Sequence, residues 1–287
     1  MLDNRQLRAL VATGDPAARM LFGTSQLAEG LRARVRRVAL TDTEVLVTGA
    51  RGAGISKVAE VIHLCSARSK APFVKRAGAA LDPAALSNAL DAARTGSLFI
   101  DEFTLTPAQS QLALMEVLDA GTPARIIAGS DRDLRASVDA GQLHSELYYR
   151  LDVTPVRIPS LSERPEDIPV LFRHYVDQAS EQAGLKAPEV TPAVTAGLMA
   201  RDWPGNARAL MSEAMRFALG LSEEERPDAS VGLVEQMAQV EQSLLEQALR
   251  RAGGNASRAA EALKLPRKTF YDKLVRYGIR AGDFRDQ

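Results

Sequence analysis

The sequence has few of the features that mark secreted, membrane-bound or disulfide-stabilised proteins. It contains one cysteine, Cys65, so no disulfide can form within the chain, which is typical of a reducing compartment. No uncharged apolar stretch approaches the length of about 18 residues that spans a membrane. The first ten residues lack the basic and apolar segments of a signal peptide. These absences predict a cytoplasmic protein without membrane contact.

Net charge is also absent, since 36 basic residues balance 36 acidic ones over 287 residues. Such a balance argues against nucleic acid only when the charge is evenly distributed, and here it is not. Residues 250–280 contain nine Lys or Arg and two Asp or Glu, a local charge of +7, so the remainder carries −7. A short basic segment of this kind is typical of a surface that binds phosphate backbones.

The basic segment has the apolar spacing of three short helices. Gly253–Gly254 ends the first helix, and Asn255 or Ser257 caps the second. Pro266 then begins the third, over Arg267–Tyr277. Two helices joined by a tight turn, the second basic at its start, can enter the major groove of double-stranded DNA. The alternative is a small helical bundle with a solvated basic face. The residues expected to contact DNA are Ser257, Arg258, Arg267, Lys268, Thr269, Tyr271 and Lys273.

Between Leu21 and Pro159, short apolar runs alternate with helical stretches, a pattern typical of βαβ units and a parallel sheet. Pro155 suits an edge strand or a bulge better than a central strand. Strand signals stop after Pro165, which predicts a helical subdomain followed by a polar linker near 222–228. The expected strands are 45–48, 73–74, 97–100, 125–128 and 153–158.

The first strand leads into Gly49-Ala-Arg-Gly-Ala-Gly-Ile-Ser56, which matches the phosphate loop G-x-x-x-x-G-K-[ST] except for its lysine. In such a loop the backbone amides surround a phosphate, the lysine reaches the β- and γ-phosphates, and the hydroxyl holds Mg²⁺. Ile55 stands where the lysine belongs, and Lys57 lies about 200° further around the helix. The loop therefore either binds ATP and Mg²⁺ weakly, with poor hydrolysis, or is a glycine turn without a ligand. The loop residues expected at the nucleotide are Gly49, Gly52, Gly54, Ile55 and Ser56.

A second acidic motif follows the loop at Ser97-Leu-Phe-Ile-Asp101-Glu102, an apolar strand that ends in two carboxylates. Asp101 is expected to hold the Mg²⁺ of a bound nucleotide together with Ser56. Glu102 is expected to orient or activate a water molecule. No other cofactor is predicted.

Together these segments resemble the AAA+ ATPase domain and the Fis-type helix-turn-helix of sigma-54-dependent activators, the bacterial enhancer-binding proteins. The match runs from about Phe22 to Leu221, and LPRKTFYDKL in the tail is similar to C4-dicarboxylate transport response regulators. The resemblance implies an α/β fold, a P-loop AAA+ parallel sheet with a helical lid, and then an all-α DNA-binding domain. The implied boundaries are 1–20 for a linker helix, 21–160 for the α/β subdomain, 161–222 for the lid and 223–287 for the helix-turn-helix.

The resemblance also assigns roles to single residues. Gly23–Ser25 is similar to the family's adenine-side turn, and Asp131 stands where its sensor strand usually has Asn. Arg150 matches the second of two arginine fingers, whereas the first falls on His144. Arg208, in WPGNARAL, matches the sensor arginine of the lid. The alternative for both arginines is an ordinary surface or salt-bridge role.

Other departures from the family concern whole segments. The sigma-contacting loop, Gly-Ala-Phe-Thr-Gly-Ala, has no counterpart between Phe73 and Thr95. The receiver domain that precedes the family's linker is expected to be missing. With Ile55 and His144, these departures predict a sequence-specific DNA-binding transcriptional regulator. Its AAA+ scaffold is expected to be degenerate and unable to remodel sigma-54 polymerase.

Two other interpretations stay open. The first is a working ATP-dependent sigma-54 activator with divergent motifs, and the second is a scaffold whose bound nucleotide sets only its oligomeric state. The expected assembly is a homodimer or a higher oligomer, and an apolar face for pairing consists of Leu233, Met237, Val240 and Leu244. Co-assembly with related AAA+ regulators and contact with RNA polymerase are further expected partnerships.

Overall fold

A computed structural model describes residues 14–221 and 233–284 of the chain. These residues divide into two compact units. The first ends at Phe172 and also includes Trp203–Ser212, whereas the second comprises Arg173–Asp202 and the residues from Glu213 onward. The linker predicted at 222–228 lies outside the described residues.

Strands and helices alternate along the first unit, as the apolar runs predict. The strands are β1 (Val45–Gly49), β2 (Phe73–Ala77), β3 (Ser97–Asp101), β4 (Arg125–Ser130) and β5 (Pro155–Ile158). The helices up to β5 are α1 (Pro16–Met20), α2 (Gln26–Ala39), α3 (Ile55–Leu64), α4 (Pro83–Ala93), α5 (Ala108–Ala120), α6 (Leu134–Asp139) and α7 (Ser145–Leu151).

The remainder of the described chain is helical. The helices that follow are α8 (Ile168–Ala183), α9 (Pro192–Ala200), α10 (Asn206–Ala218), α11 (Leu233–Arg251), α12 (Ala256–Ala262) and α13 (Arg267–Arg276). Single 3₁₀ turns occupy 78–80, 103–105, 161–163, 165–167 and 281–284. Among the described residues, no helix combines the length and the apolar character needed to cross a membrane.

The five strands form one parallel sheet in the order β2-β3-β4-β1-β5. Pro155 begins β5 at one edge, which confirms the edge position that this proline predicts. At the other edge, β2 continues past Val74 through Lys75 and Arg76. Apolar patterning predicts only 73–74 there, because polar residues on an edge strand leave no apolar signal.

The sheet has a buried cluster on each face, because successive side chains of a strand point in opposite directions. On β3, Leu98 and Ile100 belong to one cluster, and Phe99 belongs to the other. On β1, Leu46 and Val47 divide in the same way. Both faces are therefore covered, which explains why the central strands read as continuous apolar runs.

The helix that apolar spacing predicts over 2–19, ending near Gly14–Pro16, lies mostly outside the described residues. Within the described residues, Pro16 begins the separate helix α1. The Asp15 carboxylate accepts a hydrogen bond from the Ala17 amide at 2.9 Å, and proline is favoured at the first position of a helix. The residues before 14 lie outside the described part of the chain.

In the second unit, α11, α12 and α13 enclose a small apolar core. Its buried members are Leu245, Ala248, Leu249, Ala256, Ala259, Ala260, Phe270 and Leu274. Asn255 caps α12, since its Oδ1 accepts hydrogen bonds from the Ser257 and Arg258 amides, each at 3.1 Å. Lys264, with a φ of 54°, makes the turn into α13. These contacts position two short helices as a helix-turn-helix.

Candidate functional site

Residues 49–54 form a glycine turn between β1 and α3, where the sequence predicts a phosphate loop. Gly52 has a φ of 78°, and a Cβ built on it would lie 2.1 Å from the Gly205 carbonyl oxygen, so a side chain cannot be accommodated there. Helix α3 begins at Ile55 without a side-chain cap. Its first amides are therefore of the kind that bind anions at a helix N-terminus.

The turn before α10 rests on this loop. The Arg208 amide donates to the Gly52 carbonyl at 3.2 Å, and Asn206 Nδ2 donates to the Arg51 carbonyl at 2.9 Å. Asn206 Oδ1 in turn accepts from the Leu161 amide at 2.9 Å. The predicted sensor arginine, Arg208, thus lies beside the loop with its side chain exposed.

Ile55 does not point into solvent where a lysine would meet a phosphate. It packs against the apolar cluster of the sheet, and a Cβ built on Gly129 would lie 2.7 Å from Ile55 Cγ2 and 2.8 Å from Phe99 Cε2. Lys57 pairs with Glu60 at 3.1 Å on the exposed side of α3. Lys57 is thus engaged by Glu60, and the prediction that it does not replace the missing lysine stays a prediction.

A lysine from β2 stands between the two predicted metal ligands. Lys75 Nζ donates to Ser56 Oγ at 2.7 Å and lies 2.9 Å from Asp101 Oδ2. It also lies 5.6 Å from the centre of the Phe99 ring, within the range of a cation–π contact. Ser56 and Asp101 are brought together as predicted, but around an ammonium group. No cluster of three or more His, Cys, Asp or Glu suited to a metal occurs among residues 14–221 and 233–284.

The second acid, Glu102, follows β3 in a left-handed conformation with a φ of 49°. Its side chain is exposed, and its carbonyl accepts a hydrogen bond from the Leu105 amide at 2.9 Å. Asp131, at the end of β4, is exposed as well. It lines a cavity of about 320 Å³ together with Gly49 and Arg157, at the carboxyl ends of β1, β4 and β5.

The Gly23–Ser25 turn is held by a buried carboxylate, Asp167. Its Oδ1 accepts from the Thr24 and Ser25 amides at 2.6 and 2.8 Å, and its Oδ2 accepts from Ser25 Oγ at 2.6 Å. Arg164 Nη1 lies 3.6 Å from the same carboxylate. The charge is therefore buried with both hydrogen bonds and an ionic partner, which is the condition for its stable burial.

Arg150, the predicted arginine finger, is engaged within its own chain. Its guanidinium forms an ion pair with Asp119 and donates to the Leu118 carbonyl at 2.6 Å. His144, which stands at the position of the other finger, is the exposed N-cap residue of α7. Within this single chain Arg150 thus forms a salt bridge, and its role as a finger toward a neighbouring subunit stays a prediction.

The predicted DNA-contacting residues lie mainly on the exposed side of α12 and α13. Arg258, Arg267, Lys268 and Tyr271 are exposed, whereas Phe270 and Leu274 face the core. Ser257 and Thr269 are half-buried. For the predicted pairing face on α11, Leu244 is 43% exposed, and the side chains of Leu233, Met237 and Val240 lie outside the described residues.

Lys273, a further predicted DNA-contacting residue, is engaged by a carboxylate of its own chain. It forms an ion pair with Glu241 of α11, whose other oxygen accepts from the Tyr277 hydroxyl at 2.6 Å. The hydrogen bonds from Lys273 and then Tyr277 lower the pKa of Glu241, and Glu241 raises the pKa of Tyr277. Helical spacing alone cannot locate Glu241, because it lies 32 residues away from Lys273 in the sequence.

Three family models together match most of the chain, and the last two overlap over residues 236–256. The sigma-54 interaction domain matches residues 22–161, the AAA+ ATPase lid domain matches 162–256, and the Fis family of bacterial regulatory proteins matches 236–277. The C4-dicarboxylate transport transcriptional regulatory protein DctD of Rhizobium meliloti is 35% identical, over 99% of this chain and 70% of that protein. The chain belongs to the sigma-54-dependent transcriptional regulators.

Other members of the sigma-54-dependent regulators support the assignment. The transcriptional regulatory protein ZraR of Escherichia coli is 32% identical, over 89% of this chain and 68% of that protein. Crystal structures of NtrX from Brucella abortus, in complex with ADP and with ATP, match with a TM-score of 0.70 and 30% identity. Each alignment covers 90% of this chain and 70% of the NtrX chain. The RuvB motor of Thermotoga maritima, with a TM-score of 0.53 and 15% identity, shares the fold.

Three residues of this sigma-54-dependent regulator escape prediction from sequence. Lys75 lies on an edge strand outside any motif, Asp167 acts on a turn 142 residues away, and Glu241 precedes the basic segment. The only available signal for Lys75 is its place on the strand before the Asp101 strand, since parallel neighbours end at the same edge of a sheet. Asp167 stands in LSERPEDI, which is similar to the family's LRERxEDI, but that likeness does not assign it a contact with residues 23–25. Glu241 carries no comparable signal.

Proposed function

We propose that this sigma-54-dependent regulator controls transcription by sequence-specific DNA binding and does not remodel sigma-54 polymerase through ATP hydrolysis. The observation that carries the proposal is the contact of Lys75 with both Ser56 and Asp101. In P-loop NTPases these two positions hold the Mg²⁺ that neutralises charge as the phosphoryl group is transferred. Here both side chains are engaged by an ammonium, and Ile55 supplies no cation of its own.

The segment after β2 supports the proposal that this chain cannot act on sigma-54 through the family's sigma-contacting loop. Only the 3₁₀ turn at 78–80 and two further residues separate β2 from α4, which runs directly toward β3. The alignment with DctD is 321 positions long although this chain has 287 residues, so the relative contains residues without a counterpart here. We propose that some of these additional residues of the relative form the sigma-contacting loop.

The pairing of Arg150 with Asp119 supports the proposal that Arg150 contacts the nucleotide of a neighbouring subunit only weakly. An arginine finger acts by reaching the phosphate of a neighbouring subunit's nucleotide. Arg150 would have to leave a carboxylate and the Leu118 carbonyl to do so. With the other finger position held by His144, an ATP-driven ring is the less favoured assembly, and we propose a homodimer that reads two half-sites.

DNA binding is supported by the distribution of charge on the helix-turn-helix. The exposed Arg267, Lys268 and Tyr271 lie in the first half of α13, the part of a recognition helix that meets base edges. The apolar side of the same helix is buried by Phe270 and Leu274. One side of α13 therefore packs against the core of the domain, while its basic side is exposed. We also propose that the protein acts in the cytoplasm, where the DNA of a bacterial cell lies.

The experiment compares DNA binding with ATP turnover in the full chain. We expect selected DNA sites to bind with a steep salt dependence and phosphate release to stay at background, with or without DNA. Adding the chain should not stimulate transcription from a sigma-54 promoter when all four nucleoside triphosphates are present. Turnover that Glu102→Gln abolishes, accompanied by sigma-54 transcription, would overturn the proposal.

One observation favours the second candidate function, an ATP-dependent activator with divergent motifs. The loop keeps its backbone geometry around Gly52 and its contact with the Arg208 amide, and the relative NtrX has been crystallised with ATP and with ADP. The two candidates differ in turnover, which the same measurement decides. If the chain binds ATP weakly, the proposed function still holds only when no ATP hydrolysis follows.

A further inference from the structure

We infer that Lys75 takes the place of the divalent cation, so that this site binds the phosphates of a nucleotide without Mg²⁺. The inference deepens the proposed function and rests on it, because both start from an altered phosphate site. It assigns Lys75 as a positioning and charge-supplying residue and names the ligand class, a metal-free nucleoside di- or triphosphate.

The Ser56 and Asp101 oxygens do not fit Mg²⁺ while Lys75 is in place. Mg²⁺ requires oxygen ligands at about 2.0–2.1 Å in near-octahedral geometry. Ser56 Oγ instead accepts a hydrogen bond from Lys75 Nζ at 2.7 Å, and Asp101 Oδ2 lies 2.9 Å from the same atom. A metal bound to both oxygens would stand within a few ångströms of an ammonium, and the two cations would repel each other.

Strand register sets where the Lys75 side chain starts. Lys75 of β2 is paired with Phe99 of β3, so its side chain starts two residues before Asp101 on the neighbouring strand. The Phe99 ring lies 5.6 Å below Nζ, and the face of an aromatic ring attracts a cation. Three separate contacts, with a hydroxyl, a carboxylate and a ring, thus converge on one nitrogen.

The same nitrogen can serve a phosphate. A lysine ammonium has three N–H donors, and the contacts with Ser56 and Asp101 use two of them in the described part of the chain. The first amides of α3 and the turn at Gly52 supply uncharged N–H donors for an anion. Lys75 adds the positive charge that Ile55 lacks, from its contact with Ser56 in the first turn of α3.

The test measures ADP affinity of the full chain by calorimetry, in buffer with Mg²⁺ and in buffer with EDTA. We expect the two dissociation constants to agree within about twofold. Lys75→Met should weaken ADP binding in EDTA about tenfold, the effect of losing a charge-assisted hydrogen bond. Lys75→Arg keeps the charge and should recover part of the affinity. Lys57→Met is the matched control, because Lys57 is also 49% exposed and also paired with a carboxylate.

A second measurement does not involve a nucleotide. Added Mg²⁺ should leave the melting temperature of the wild type unchanged, and it should raise that of Lys75→Met, in which Ser56 and Asp101 are free to bind a metal. Adding Asp101→Asn to Lys75→Met should remove the response. This arm stays informative if Lys75→Met weakens the fold, since each variant is compared with itself.

Several results would overturn the inference: wild-type ADP binding that requires Mg²⁺, no ADP binding in either buffer, or equal behaviour of Lys75→Met and Lys57→Met. Phosphate release from ATP is followed in the same samples. Mg²⁺-dependent binding without turnover overturns this inference alone, whereas Mg²⁺-dependent turnover overturns the proposed function as well.

Discussion

Glu241 accepts a hydrogen bond from the Tyr277 hydroxyl at 2.6 Å, which ties the end of the recognition helix to α11. The same carboxylate forms an ion pair with Lys273. One acidic residue of α11 therefore holds Lys273 of α13 and Tyr277, which directly follows that helix. This contact restrains part of the basic charge that would otherwise be available to DNA.

The first prediction concerns the two lysines of α13. Lys268 is exposed and Lys273 is held by Glu241. We expect Lys268→Ala to reduce the slope of log affinity against log salt by about one, as for a lost phosphate contact. Lys273→Ala should reduce it less. Glu241→Gln should release Lys273 and steepen the slope, as measured by fluorescence anisotropy, and equal slopes for all variants would contradict the prediction.

The second prediction is a pH dependence of the same contact. Lys273 and Tyr277 lower the pKa of Glu241 in the folded chain, so folding favours its charged form. The resulting stability is present above the ordinary glutamate pKa and disappears as the pH falls toward the lowered value. We expect Glu241→Gln to flatten the melting temperature across this acidic range. An unchanged profile would show that the contact does not stabilise the fold.

The third prediction tests the core of the helix-turn-helix. Phe270 is fully buried, whereas Val275 on the same helix is 80% exposed. Phe270→Ala should lower the free energy of unfolding by about 3–5 kcal/mol, because it removes a large side chain from a packed core. Val275→Ala, the matched control, should change it by less than about 0.5 kcal/mol. Chemical denaturation followed by circular dichroism separates the two outcomes.

The fourth prediction concerns Asp167. Its carboxylate is fully buried, receives three hydrogen bonds from Thr24 and Ser25, and pairs with Arg164. Asp167→Ala should destabilise the first unit by about 3–5 kcal/mol, because it removes one partner of a buried ion pair and leaves the Thr24 and Ser25 donors without this acceptor. Asp131→Ala, at an exposed aspartate, is the control. Equal melting temperatures of the two variants would refute the role of Asp167 in holding the turn.

The fifth prediction tests how Ile55 packs on the sheet. A Cβ on Gly129 would lie 2.7 Å from Ile55 Cγ2, closer than two carbon atoms can approach. Gly129→Ala should therefore destabilise the fold by about 1–3 kcal/mol. Adding Ile55→Ala should recover part of this loss, although Phe99 also borders the site. A double variant no more stable than Gly129→Ala alone would show that Ile55 does not cause the strain.

Much of the fold could be predicted from sequence because its signals are local. The apolar runs at 45–48 and 97–100 coincide with β1 and β3, and Pro155 starts an edge strand. Asn255 caps α12 through its own side chain. By contrast, the extension of β2 through Lys75 has no apolar signal. It depends on pairing with β3, which is separated from it by α4.

The sequence by itself determined which chemistries are available: a phosphate loop without its lysine, a strand that ends in Asp101, and a basic tail with the spacing of a helix-turn-helix. The tertiary structure decided which charges meet. Parallel register brings Lys75 to Ser56 and Asp101, and helix packing brings Glu241 to Lys273. Neither contact has a sequence signature, because ion pairs form between side chains that the fold brings close, whatever their separation along the chain.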